Sequence, residues 1–261
     1  MYDFGFIGCG NMGGALALAV SKTTSNIALC DADESKAQAL AKQCNAKVAS
    51  CDEVAKNAKF VVLGVKPQVV DSAISSIKAI INAREEVVII SMCAGISIAA
   101  IKACFGQSVK VIRIMPNTPA KVGEGLILYS TDIEKELVKA FTDGFARAGK
   151  TVAIDEAKID AASALSGCGP AFVYMFIEAL ADGAVECGLP RDMAEEFAAQ
   201  TVLGSAKMVQ EFSHPATLKD AVCSPGGTTI AGVHALENGK MRGTVMDAVT
   251  KAYKRTLELK K

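Results

Sequence analysis

Phe6-Ile7-Gly8-Cys9-Gly10-Asn11-Met12-Gly13 decides how the first half of this sequence folds. The apolar run Tyr2 to Ile7 reads as a buried strand, and Asn11 to Ser21, rich in Ala and Leu, reads as a helix. The glycines therefore fall at a strand-to-helix turn. G-x-G-x-x-G in that place has a mechanical reading: Gly8 permits the tight turn, Gly10 lets a pyrophosphate approach the backbone, and Gly13 lets helix pack close on strand. The free amides of the helix start, at Asn11 and Met12, then receive the anion.

Outward from this loop, short β-rich runs alternate with helical patterns as far as Ile154. Strands are expected at 2–7, 27–30, 47–49, 60–65, 87–91 and 109–114, with a later pair at 126–130 and 151–154 closing one edge. Helices are expected at 11–21, 34–43, 69–81 and 134–148. This is the pattern of β-α-β units on a doubly wound parallel sheet of the Rossmann type, an α/β fold. After Asp155 the β-branched runs stop, Ala, Glu, Leu and Met dominate, and Pro170, Pro190 and Pro215 mark helix starts. Residues 1–155 are thus expected to form a dinucleotide-binding domain and residues 156–261 an all-α domain. Its long helices, 171–187, 191–212 and 241–260, carry small or apolar residues on several faces, as in Ala198, Ala199, Val202, Leu203 and Ala206. So much apolar surface on so short a domain implies a homodimer through the helical half.

Composition narrows the partners. Twenty-eight Lys and Arg balance 28 Asp and Glu, and 51% of the 261 residues are hydrophobic. A chain without net charge has no global field for a nucleic-acid backbone or an anionic membrane. The charge-free runs 4–21, 87–101 and 161–177 approach membrane length, but glycines or polar residues interrupt each, and the first lacks the basic start of a signal peptide. Nine cysteines without paired spacing read as reduced thiols of a cytoplasmic protein, with no metal site. Cys9, inside the phosphate loop, reads as a space-filling side chain.

Asp31 ends the second strand, where an acid accepts hydrogen bonds from adenosine-ribose hydroxyls and repels a 2′-phosphate. NADH is favoured slightly on these residues, with Lys22 and Lys36 the only cations placed to reach a phosphate. Val65-Lys66-Pro67, Cys93-Ala94 and Met115-Pro116-Asn117 follow the fourth, fifth and sixth strands, on the rim where open α/β sheets bind ligands. In the helical half, Ser224-Pro225-Gly226-Gly227-Thr228-Thr229 is a glycine turn feeding a helix, an anion pocket built from amides and hydroxyls. An ordinary threonine cap is the plain alternative. The two histidines, His214 and His234, read as structural, and no lysine occurs between Lys158 and Lys207. The acid or base that a hydroxy-acid dehydrogenase uses is therefore missing.

Taken together the motifs resemble the Δ1-pyrroline-5-carboxylate reductases. The resemblance runs nearly end to end: Phe6 to Met12, Val65 to Gln68, Met115 to Pro119, Val122 to Gly125, Ala164 to Ala171, Glu178 to Gly183, Gln200 to Gly204 and, most distinctively, Ser224 to Thr229. It implies a nucleotide domain carrying NADPH or NADH and helical domains interlocked as a dimer, often assembled into a decamer, with substrate where the two kinds of domain meet. Ser224 and the amides around Gly226, Gly227, Thr228 and Thr229 would hold the substrate carboxylate, and the Thr229 hydroxyl would hydrogen-bond the ring nitrogen while hydride reaches C5. An imine protonates readily, so the absence of a catalytic His or Lys fits. One departure stands out: Ala32 occupies the place where relatives commonly carry an Arg for the 2′-phosphate. The alternatives are a reductase of another small imine or hydroxy acid, and a nucleotide-binding regulator without turnover.

Overall fold

The computed structural model describes residues 1–259; Lys260, Lys261 and the side chain of Pro67 lie outside the described part. The first half alternates as expected: β1 (Tyr2–Ile7), α1 (Asn11–Val20), β2 (Ile27–Cys30), α2 (Glu34–Cys44), β3 (Lys47–Val48), α3 (Cys51–Asn57), β4 (Ala58–Leu63), α4 (Val70–Asn82), β5 (Val88–Ser91), α5 (Ile98–Phe105) and β6 (Lys110–Met115). Then come β7 (Gly125–Thr131), α6 (Lys135–Gly144), β8 (Gly149–Ala153) and α7 (Ile159–Ser166). The strand order is β3-β2-β1-β4-β5-β6-β7-β8. All pairs are parallel except β6 with β7. All eight expected strands form, and β7 and β8 do close one edge. The chain leaves β1 for β2 on one side and returns to β4 on the other, so the carboxyl end of β1 is the switch point of the sheet.

Alternation explains why this sheet is buried on both faces. Phe4, Phe6, Phe60 and Val62 point into a core shared with α1, α2 and α6, and Phe4 stacks on Phe60 at 4.9 Å. Ile7, Val61, Leu63, Ile89 and Val111 point the other way, against α3, α4 and α5. Helix α2 starts where Asp33 accepts the amide of Ser35, and ends on left-handed Asn45. Helices α3 and α5 are not expected from the pattern. The first spans only seven residues, and the second, Ile98-Ala99-Ala100-Ile101-Lys102-Ala103-Cys104-Phe105, is apolar almost all round, so neither shows a clear period. The expected helix 134–148 stops at Gly144.

Two buried polar groups pin the chain where it leaves the sheet. Arg113 on β6, 4% exposed, donates to Asp160 of α7 at 2.9 Å and to Glu156 at 3.2 Å. Glu156 also accepts the Ile98 amide at the start of α5. Asn117 donates to the Ser166 carbonyl at 3.0 Å and accepts the Leu126 amide at 2.9 Å.

The reading of all nine cysteines as reduced thiols is corrected. Cys30 and Cys51 form a disulfide, with Cα atoms 5.5 Å apart. The parallel pairing of β2 with β1 and the packing of α3 beside them bring together positions whose 21-residue separation gives no hint of pairing.

The described chain forms two compact units, Met1–Gly167 with the segment from Tyr253 onward, and Cys168–Ala252. The second contains α8 (Gly169–Glu186), α9 (Arg191–Phe212), α10 (Pro215–Ala221) and α11 (Thr228–Asn238), with α12 (Met241–Glu258) running on from it. Helices α8 and α9 meet over the buried small residues Ala181, Ala194 and Ala198, with Ile177, Val185 and Leu189 packed against them only partly buried. Tyr174, Met175, Phe197, Phe212 and Met246 are left exposed. Such a set of large apolar side chains requires a cover. One stretch of the described residues, Glu156–Glu186, is long and apolar enough to cross a membrane by length and composition. It spans α7 and α8 and includes Asp160, the ion-pair partner of Arg113.

Removing the Arg113 side chain would take the guanidinium away from two carboxylates, one of them buried. Arg113→Ala is expected to lower the unfolding free energy by about 3–5 kcal/mol, measured by urea denaturation.

Candidate active site

The carboxyl end of β1 carries the glycine loop, and a space problem explains its composition. Gly8 adopts φ +104°, and a Cβ there would lie 2.7 Å from the carbonyl of Gly64, just past β4. A Cβ at Gly13 would lie 2.2 Å from the Gly8 carbonyl oxygen. A Cβ at Gly10, by contrast, would meet no protein atom within 4 Å. Gly8 and Gly13 are therefore required by the fold, whereas Gly10 keeps room for something that is not protein. Gly10 is also the residue preceding α1, which has no side-chain cap and no acid in its first turn. The amides of Asn11 and Met12 are left for an anion.

A cleft of about 440 Å³ opens over this loop. Gly8, Gly10, Asp31, Val65 and Lys66, all expected from the sequence, line it together with Ala32, Lys36 and Cys51. Asn11, Met12 and Gly13 form the helix start beneath. The far wall is a strip the sequence reading misses, Val69, Ser72, Ala73 and Ser76. Helix α4 buries Val70, Ile74, Ile77 and Ile81 on one side. The small residues spaced across its other side were the available signal. Cys93, Ala94, Met115, Pro116 and Asn117 do not line this cleft. Cys93 and Met115 are core residues, and the Asn117 side chain is committed to its two braces. Pro116 is buried, and Ala94 is exposed at the end of β5.

Asp31 works on the loop itself. Its Oδ2 accepts the Cys9 amide at 2.6 Å, and its Oδ1 accepts the Asp33 amide at 2.9 Å. The Cys30 carbonyl next to it accepts the Gly8 amide at 2.8 Å. Lys36 is paired with Asp33 at 3.4 Å. The Ser35 hydroxyl first, and Lys36 after it, hold the Asp33 carboxyl below its usual range. Burial, with the Asp31 charge adding to it, pushes the Cys9 thiol up to about 12. Cys9 is a protonated filler that donates to the Cys30 carbonyl, as the space-filling reading has it.

The second candidate feature is the start of α11. Residue 226 is in the left-handed region, φ +69°, and the Gly227 amide closes the turn on the Ser224 carbonyl at 3.0 Å. Gly227 precedes the helix, and no side chain caps it. An ordinary threonine cap is thus not what these residues form. The amide of Gly227 is spent on the turn, so the free donors of the first turn are those from Thr228 onward. Ser224, Thr228 and Thr229 are exposed. His214, left-handed before α10, and His234, paired with Asn238 at 3.1 Å, are both exposed. Among the described residues no group of His, Cys, Asp or Glu could hold a metal.

A glycine-loop cleft at the switch point of a parallel sheet, joined to a helical half, defines an NAD(P)H-dependent oxidoreductase. The family description "NADP oxidoreductase coenzyme F420-dependent" matches residues 3–95, and "Pyrroline-5-carboxylate reductase dimerisation" matches residues 156–259. The chain is 40% identical to a pyrroline-5-carboxylate reductase of Pisum sativum, over 99% of this chain and 96% of that one. It is 39% identical to one of Escherichia coli, over 98% of each. The crystal structure of Plasmodium falciparum pyrroline carboxylate reductase with NADP bound superposes with a TM-score of 0.88, at 32% identity, covering 100% of this chain and 98% of that one. The chain belongs to the pyrroline-5-carboxylate reductase family. The helical half is accordingly the part of the chain through which it oligomerises.

The glycines separate by experiment. Gly10→Ala should leave the melting temperature close to wild type and weaken NAD(P)H binding about tenfold or more, whereas Gly13→Ala should lower stability by about 1–3 kcal/mol through overpacking. Cys9 yields a pH dependence. Its thiol ionises near 9.0 when unfolded and near 12 when folded, so its contribution is intact below pH 9 and is lost as pH rises from there toward 12. Urea midpoints of wild type and Cys9→Ala should converge over that range.

Proposed function

We propose that this chain reduces Δ1-pyrroline-5-carboxylate to L-proline with NADPH or NADH, the last step of proline biosynthesis. The observation that carries the reading is the α11 start: a helix N-terminus without a side-chain cap, preceded by Ser224 and opened by the hydroxyls of Thr228 and Thr229. That arrangement suits a small carboxylate. The cleft at Gly8, Gly10, Gly13, Asp31, Val65 and Lys66 suits a dinucleotide. In this reading residues 1–155 bind the nucleotide and residues 156–261 bind the substrate and pair with a second copy.

When bound, NAD(P)H supplies a hydride to C5 of the imine. The chain contributes orientation and exclusion of water rather than a strong acid. Ser224 and the first-turn amides hold the carboxylate, with Gly226 and Gly227 shaping the turn. The Thr229 hydroxyl is the catalytic group, holding the ring nitrogen where its proton sits. Pro67, Cys93, Ala94, Met115, Pro116 and Asn117 belong to the rim on the nicotinamide side, Asn117 by fixing the loop that carries Pro116. Dimers assemble further as decamers in the manner the resemblance implies. The enzyme works in the cytoplasm, without metal, nucleic acid or membrane.

Assays of pyrroline-5-carboxylate beside other cyclic imines and 2-oxo or 3-hydroxy acids test the substrate. Turnover confined to pyrroline-5-carboxylate is expected; preference for another substrate overturns the reading. Thr229→Ala should lower kcat about a hundredfold and leave the NAD(P)H dissociation constant unchanged; normal kinetics would remove that hydroxyl from the mechanism.

A further inference from the structure

We propose that Asp31 makes this chain select NADH over NADPH, and does so with the carboxylate that also holds the phosphate loop in place. The inference rests on the reading of the cleft as a nicotinamide-dinucleotide site. NADPH differs from NADH by a phosphate on the adenosine 2′-oxygen, close to doubly negative at neutral pH. In a Rossmann sheet that oxygen belongs at the end of the second strand. What this chain presents there is the Asp31 carboxylate, lining the cleft, followed by Ala32.

Each Asp31 oxygen accepts one backbone amide, from Cys9 at 2.6 Å and from Asp33 at 2.9 Å. Two consequences follow. The carboxylate is tethered at both oxygens, so it cannot swing aside to admit a phosphate. Each oxygen keeps a further acceptor site, so the 2′- and 3′-hydroxyls of an unphosphorylated ribose can donate to it.

The cations of the cleft do not offset this charge. They are Lys36 and Lys66. Lys36 is paired with Asp33. Lys66 follows β4, on the opposite side of β1 from β2. No arginine lines the cleft. A phosphate at this position would meet a fixed carboxylate, with the Lys36 ammonium already shared with a second carboxylate.

Because Asp31 also carries the Cys9 amide, its removal alters the loop as well as the specificity. The ratio of the two dissociation constants separates the roles, since a loosened loop weakens both nucleotides alike. Nucleotide-fluorescence titrations of the intact oligomer should give NADH a dissociation constant lower than that of NADPH by about tenfold or more. Asp31→Asn keeps a side-chain acceptor for the Cys9 amide and removes the charge, and should bring the ratio toward one. Ala32→Arg leaves Asp31 and its loop bonds in place, and should tighten NADPH selectively. Asp31→Ser combined with Ala32→Arg should invert the preference, with thermal melts confirming folded protein.

Wild-type protein that binds NADPH as tightly as NADH overturns the proposal, as does an unchanged ratio in folded Asp31→Asn. These readouts do not depend on the substrate. Selective NADH binding without proline formation would sink the proposed reaction and leave this inference standing; proline formation with equal affinity for both nucleotides would do the reverse.

Discussion

The carbonyl oxygen of Gly8 occupies the space that a side chain at position 13 would need, 2.2 Å from where its Cβ would stand. That one approach sets the distance between β1 and α1, and the site depends on it. It turns the free amides of α1 outward at the switch point. It also leaves Gly10 facing open space. The end of β2 reinforces the same corner, with the Cys30 carbonyl and the Asp31 carboxylate receiving the amides of Gly8 and Cys9. The disulfide from Cys30 to Cys51 ties this corner to the start of α3. Two elements from further along the chain, β2 and α3, thus brace the corner that β1, the loop and α1 form.

A second helix start, at α11, repeats the principle with a different turn. Neither α1 nor α11 has a side-chain cap, and neither has an acid in its first turn. A chain of zero net charge can therefore have two anion-binding positions that a count of lysines and arginines does not show. The buried charge it does contain serves architecture. Arg113, Glu156 and Asp160 anchor α7 to β6, and Asn117 fixes the loop between β6 and β7.

How much was legible in the sequence follows from the range of each interaction. The eight strands and the longer helices were visible because their patterns are local, with apolar residues on both faces of a sheet or along one side of a helix. The glycine loop was legible too, since its three glycines answer to a turn, an approach and an open space within six residues. The ion-pair partners of Arg113, the Ser166 carbonyl that Asn117 reaches and the disulfide partner of Cys30 lie 21 to 49 residues away, and no spacing announces them. The cleft wall on α4 was not legible because Ser72, Ala73 and Ser76 lie away from the buried side of the helix, and small residues there do not distinguish a cleft from open solvent. Cys93 and Met115 sit near strand ends as the sequence reading placed them, yet they pack into the core, because end-of-strand position does not determine which way a side chain points.

In the proposed reductase, hydride passes to C5 of a cyclic imine. Isotope tracing reads that transfer directly. With nicotinamide nucleotide deuterated at the transferable C4 position, and pyrroline-5-carboxylate in ordinary water, mass spectrometry of the product should find proline with one deuterium, located at C5. Proline without deuterium, or nucleotide oxidation without proline, would contradict the account.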